Sequence, residues 1–279
     1  LQIALSANED FERRSKTEPP LATSMILRLL GEMAEQRADL ALARRYYTKA
    51  IAQLDSTNNP ENSASKIDTE TALTVLGYAS LLNRLNDPQA HPVCVSLCDL
   101  CCRQSDQSLA GYRRLAAAYG ELAKCCERIG KSENEIMTVL SQQAEVLEQI
   151  AQASEADISD RRNSGKVWLR LASRHARLQD WAQSEATAQK SINVFNGMVE
   201  SSVASPADQL NLAEAELLAV TIQMQDGSVT DIGRVENVGR SLNEVSRLFT
   251  VDEAAELKPR ISLLMQQCQR LIESASASE

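Results

Sequence analysis

The chain has 279 residues, a formal net charge of −9 and only 4% aromatic residues. That balance argues against nucleic-acid binding, which needs a basic stripe to neutralise phosphate. The basic pairs Arg13-Arg14, Arg44-Arg45, Arg113-Arg114 and Arg161-Arg162 are scattered, with acidic residues between them. No apolar run reaches the ~18 residues of a membrane span, so no membrane insertion is expected. Period-2 runs of Val, Ile and Thr are missing too, which leaves an all-α chain.

Along the chain, Leu1, Ile3, Ala4 and Phe11 have helix-like spacing from the first residue, so the chain is expected to be a fragment of a longer protein. Pro19-Pro20 precedes a helix over about 21–36, a turn at Arg37-Ala38-Asp39 and a second helix over about 40–54. Leu27, Leu30, Gly31 and Ala34 share one helical face, as do Ala43, Tyr47 and Ala50. The small residues let the two helices approach, with Tyr47 as a bulky knob between them.

After a polar stretch at 55–68, a second unit covers about 69–85 and 88–102, with Asp87-Pro88 as helix start. Ala90 and Cys94 fall one residue late in it. A third runs from Ser108 to Ile129, turns at Gly130-Lys131-Ser132, and continues from Glu133 to Gln152. Its register is read from Tyr119, Leu122, Ala123 and Cys126 rather than from Tyr112, Leu115, Ala116 and Tyr119, because Gly130 then falls at the turn.

Residues 154–165 read as a charged loop. Trp168, Leu171, Ala172 and His175 open a fourth unit, with a turn at Gln179-Asp180 and Ser184, Ala188 and Ser191 on its second helix. A fainter fifth unit spans about 206–225 and 231–248, broken at Gly227. A final helix over about 252–273 carries Ile261, Leu264, Met265, Cys268 and Ile272, with Pro259 as a kink or true start. It serves as the cap that an open array needs, and 274–279 are read as frayed.

Leu30-Gly31, Leu76-Gly77, Leu122-Ala123 and Leu171-Ala172 recur at steps of 46, 46 and 49 residues. A period of this length signals stacked helical hairpins. The first unit, Leu27-x2-Leu30-Gly31-x2-Ala34 followed by Ala43-x3-Tyr47 and Ala50, resembles the tetratricopeptide repeat (TPR), with Leu27 in place of the first aromatic. The resemblance implies a right-handed α–α superhelix of about five hairpins (20–54, 69–102, 108–152, 165–198, 206–248) with the capping helix, as one domain over 1–279. The repeat exceeds the family's ~34 residues, so links and helices are longer. Tyr112-Arg113-Arg114, Leu115-Ala116 and Gly130 also resemble repeat tails of large bacterial serine/threonine kinases, although no kinase motif is present.

Cys94, Cys98, Cys101 and Cys102 fall on one face of a helix, and Cys125-Cys126 on another. Both groups read as small hydrophobes in helix packing rather than as a metal or redox site, since thiolate zinc sites draw on turns and separate elements. Seven cysteines, an odd number, fit a reducing, cytoplasmic setting rather than a disulfide framework. His175 occupies a packing slot, His91 a helix-start turn, and Trp168 a core position. No nucleophile–base pair stands out, so no enzyme activity and no cofactor are expected.

What the family resemblance implies instead is a non-catalytic protein-binding scaffold for a protein or peptide held on the concave face. Arg28, Glu32, Thr74, Tyr78, Lys124, Ser173 and Arg177 would line that face. Family members that clamp a C-terminal carboxylate use Lys and Asn where this chain has Arg28 and Glu32, and Asn where it has Val75, so that clamp is not expected. The alternative is a regulatory, self-associating segment of a bacterial signalling protein.

Overall fold

The computed structural model describes residues 20–55, 64–103, 108–225, 232–249 and 251–276. The expected N-terminal helical pattern, most of the polar stretch at 55–68 and the Gly227 break lie outside them. The described residues form eleven helices and no strand: α1 (Pro20–Gln36), α2 (Leu40–Asp55), α3 (Ala64–Arg84), α4 (Ala90–Arg103), α5 (Leu109–Arg128), α6 (Glu133–Gln152), α7 (Ile158–Arg177), α8 (Trp181–Glu200), α9 (Pro206–Gln225), α10 (Ile232–Ser246) and α11 (Val251–Ser276). Among them α1 and α2, α3 and α4, α7 and α8, and α9 and α10 pack as hairpins, α5 and α6 follow one another through the Gly130 turn, and the helix of α11 continues through Pro259. Contacts divide the chain into two compact units, Leu1–Val139 and Leu140–Glu279.

Local chemistry sets many helix ends. Three helices open with reciprocal caps, in which the residue before the helix and an acidic residue three further on bond each other's backbone. For α6 these are Ser132 and Glu135, for α7 Asp157 and Asp160, and for α9 Ser205 and Asp208. Because of its cap, α7 begins at Ile158, so most of the expected charged loop at 154–165 is helix. By contrast, α4 starts at Ala90 rather than Pro88. Asp87 Oδ1 accepts from Gln89 N at 2.8 Å and Asp87 O accepts from Ala90 N at 3.0 Å, which closes a turn ahead of the helix.

The first helices of four hairpins share one C-terminal closure. Asp39 N donates to Ala34 O at 2.9 Å, Asp87 N to Leu82 O at 3.0 Å, Lys131 N to Cys126 O at 2.9 Å and Asp180 N to His175 O at 3.0 Å. The residue before each donor, Ala38, Asn86, Gly130 or Gln179, has positive φ. A side chain is strained there and glycine is not, so Ala38→Gly should raise stability by about 0.5–1 kcal/mol. The urea midpoint of the variant measures this.

These closures correct the register of the second hairpin. Counting three residues back from each acceptor places Gly31, Ala79, Ala123 and Ala172 as equivalents. Tyr78-Ala79, not Leu76-Gly77, therefore matches Leu30-Gly31. The first helix runs two residues further before its turn, so Ala90 and Cys94, one residue late when counted from Gly77, fall one residue early when counted from Ala79.

Gly77 has a different role. A Cβ on it would meet Tyr47 Cε1 at 2.8 Å, and one on Gly31 would meet the same atom at 3.1 Å. The two glycines thus hold one ring, from α1 and from α3. In the first unit Tyr47 sits in a core with Ala34, Ala43 and Leu81. In the second unit, Ser191 and Ser184 donate to Gly165 O and Ala172 O across the α7/α8 contact at 3.0 and 2.8 Å. Phe195 fills the space beside Gly165. The faint fifth hairpin has a continuous aliphatic core, with Leu210, Leu217, Val235 and Leu242 packed against Ile261 and Leu264 of α11.

Candidate partner-binding groove

Within each unit, successive first helices touch: α1 with α3 and α3 with α5, then α7 with α9 and α9 with α11. Polar pairs tie them at separations close to the repeat. Arg28 Nε donates to Glu70 Oε1 at 2.8 Å and Arg84 to Glu35 at 2.6 Å. Asn83 Nδ2 donates to Glu121 Oε2 at 2.8 Å. Arg162 reaches Asp208 through two bonds of 2.6 and 2.8 Å. Arg260 Nε donates to Glu214 Oε2, and Arg260 Nη2 to Asn211 Oδ1, both at 2.8 Å.

This ladder takes up most of the first-unit residues expected to face a partner. Arg28 also bonds Glu32 at 2.5 Å, and Thr74 donates to Glu70 at 3.3 Å. Arg28, Glu32 and Thr74 thus meet in one network around Glu70. Thr74 is fully buried, which removes it from any partner surface. Tyr78 is half-buried against the Tyr47 core. Lys124 is exposed and pairs with Glu121 at 2.7 Å. Arg177 is exposed at the end of α7.

Ser173 has a different setting. It lines a cavity of about 520 Å³ between α7, α9 and α11. Leu217 and Leu264 form its buried floor, and Leu218 and Leu271 are half-buried beside them. Glu214, Arg260 and Arg270 ring it, and Leu263 stands at its edge, 55% exposed. The volume falls within the ~300–1,000 Å³ of ordinary ligand sites, and mostly apolar walls with a few polar groups suit such a site. Sequence reasoning treated α11 only as a cap and missed this face. The signal that could have found it was Arg260, Leu263, Gln267 and Arg270, which follow helical spacing apart from the core positions Ile261, Leu264 and Cys268.

The cysteines pack as small hydrophobes, except Cys102. Cys94, Cys98, Cys101, Cys125 and Cys126 are buried, and Cys102 is exposed. Burial pushes the Cys94 and Cys98 thiols up to about 12 and that of Cys101 to about 11, the opposite of an activated thiolate. Among the described residues, no three His, Cys, Asp or Glu side chains converge for a metal ion. His91 and His175 are half-buried, and Trp168 is in the core with Lys190 Nζ 3.9 Å from its ring centroid. No helix among the described residues is long and apolar enough to cross a membrane.

No family model and no curated protein matches the sequence. Solved structures do match. BtubC from P. vanneervenii is similar at a TM-score of 0.58 and 12% identity, over 89% of this chain and 92% of that one. The apo form of RapI, which is TPR-like, gives 0.54 at 13% identity, over 97% and 93%. The fold is a TPR-like helical repeat. A TPR protein of Thermus thermophilus, TTC0263, scores 0.43 at 14% identity, over 87% and 99%. At these identities the likeness concerns the fold alone. The α7/α9/α11 cavity lies in the second unit of this repeat, with Ser173 on its wall.

Proposed function

We propose that this protein is a non-catalytic scaffold that binds a segment of a partner protein in the α7/α9/α11 groove. The supporting observation is the cavity itself, with leucine walls and a charged rim from α9 and α11 and Ser173 of α7 beside them. A segment fitting it carries one or two large apolar side chains for the space over Leu217 and Leu264. It also carries an acidic group for Arg270, since Arg260 is already bonded to Glu214 and Asn211.

Selecting a displayed library of twelve-residue peptides against the full chain tests this reading. Enriched peptides should combine leucine-like and acidic residues. Leu263→Asp should weaken them at least about tenfold, the cost of placing a charge where an apolar contact formed. Arg28→Ala, in the other unit, should leave them unchanged. Peptides indifferent to Leu263→Asp would remove the groove from the proposal.

A further inference from the structure

The polar groups around the α7/α9/α11 cavity divide by wall. Ser173 of α7 and Thr221 of α9 line it, and both are half-buried. Ser173 Oγ donates to Leu169 O at 3.0 Å and Thr221 Oγ1 to Leu217 O at 2.8 Å, each four residues back on its own helix. A hydroxyl has one proton and two lone pairs. With the proton held by the helix, each group has only acceptor capacity left for an occupant. Glu214, also on α9, is a carboxylate and adds acceptors alone.

The α11 wall has the opposite character. Arg260, Gln267 and Arg270 line it, and all three carry N–H donors. Arg260 is bonded to Glu214 and Asn211, whereas Gln267 and Arg270 are exposed. Between the walls lie Leu217 and Leu264, whose side chains satisfy neither a donor nor an acceptor.

We propose that the partner segment lies in this groove in extended conformation, an inference that rests on the groove's role in binding. Its backbone N–H groups donate to Ser173 and Thr221, and its carbonyls accept from Gln267. A helical segment has spent its N–H and C=O groups on itself except at its ends. It would strip water from the hydroxyl acceptors and leave them without a partner, which costs affinity. An extended segment keeps donors and acceptors unspent along both edges. Lysine ammonium groups do not suit the acceptor wall. Glu214 is already bonded to Arg260, and a further cation would sit beside Arg260 and Arg270.

The test takes a twelve-residue peptide enriched on the full chain and weakened by Leu263→Asp. It is remade with one backbone N–H at a time replaced by N–CH3. Methylation at one or two inner positions should weaken binding about fivefold or more, the loss of a hydrogen bond. Ser173→Ala and Thr221→Val keep helix and shape, and each should weaken the unmodified peptide about fivefold. Each should leave the peptide methylated at the matching position nearly unchanged, because the bond is already gone. A peptide that tolerates methylation at every position would overturn the extended conformation and leave the groove standing. So would one that binds more tightly once α-aminoisobutyric acid makes it helical. Methylation losses that neither Ser173→Ala nor Thr221→Val alters would assign the N–H groups to other acceptors and overturn the proposal. Recovery of no peptide that depends on Leu263 would remove the groove and the extended segment together.

Discussion

Replacing Tyr47 with alanine should lower stability by about 3–5 kcal/mol, the usual loss for a buried aromatic side chain. Tyr47 is 1% exposed, and its hydroxyl donates to Glu35 Oε1 at 2.8 Å. Burial, with the Glu35 carboxylate beside it, pushes its phenol well above the ordinary range, so it remains a donor. The ring has no room to move, with Gly31 on one side and Gly77 on the other. Gly77→Ala puts a methyl group 2.8 Å from Cε1 and 2.9 Å from the hydroxyl oxygen, and moving the ring away drives it toward Gly31. Overpacking of this kind costs about 1–3 kcal/mol.

Because both effects pass through the same ring, they should not add. In a Tyr47→Leu chain the Gly77→Ala penalty should fall by at least about 1 kcal/mol, the coupling expected of residues in contact. Urea denaturation of the four chains gives the cycle. Full additivity would show that Gly77 is needed for some reason other than Tyr47.

Arg162→Met should cost about 3–5 kcal/mol at neutral pH, because it strands a buried charge. Asp208 has no exposed side-chain surface, and Arg162 is its ion-pair partner across the α7–α9 contact. Burial alone would raise its pKa. The bonds from Arg162, from Ser205 Oγ at 2.7 Å and from Ser205 N at 2.9 Å outweigh that and hold it below the ordinary value of 3.8. A carboxylate lowered on folding contributes stability above its unfolded pKa and loses it as pH falls through the folded one.

In the unaltered chain, then, the Asp208 contribution is complete at neutral pH and drains away only well into acid. In Arg162→Met the carboxyl pKa should rise, and the deficit relative to the unaltered chain should shrink as acid protonates Asp208. Adding Asp208→Asn should recover much of the loss at pH 7, since the amide keeps the helix cap without a stranded charge. Denaturation midpoints at pH 7 and pH 4 measure all three chains. An equal deficit at both pH values would mean that Arg162 acts through packing alone.

The elements easiest to read in the sequence were those with local causes. Ser132 with Glu135 caps a helix using only its own neighbourhood, and Gly130 turns the chain because it has no side chain to strain. The core face of the first hairpin was legible from Leu27, Gly31 and Ala34 against Ala43, Tyr47 and Ala50. Misreadings arose where partners lie a whole repeat away. Arg162 looks like one more solvated charge until Asp208 is placed opposite it, although the Asp157–Asp160 cap that makes its stretch helical is local. Leu76-Gly77 imitates the opening motif at nearly the right distance, yet Gly77 serves the Tyr47 of the hairpin before it.

The partner-facing residues show the same division. Arg28, Glu32 and Thr74 were placed on a binding surface by family register, and the structure turns them into a tie around Glu70. Ser173 lines the α7/α9/α11 cavity, and the rest of that cavity comes from α9 and from a helix read only as a cap.

By itself the sequence determined the helical class, the number of hairpins and most of their turns, because periodicity, caps and positive-φ positions act within a few residues. Only the tertiary structure decided the register of the second hairpin, the ladder between first helices and the place of the groove. Each of these depends on which side chain a repeat-distant helix brings opposite, and near-periodic spacing leaves that open to one or two residues.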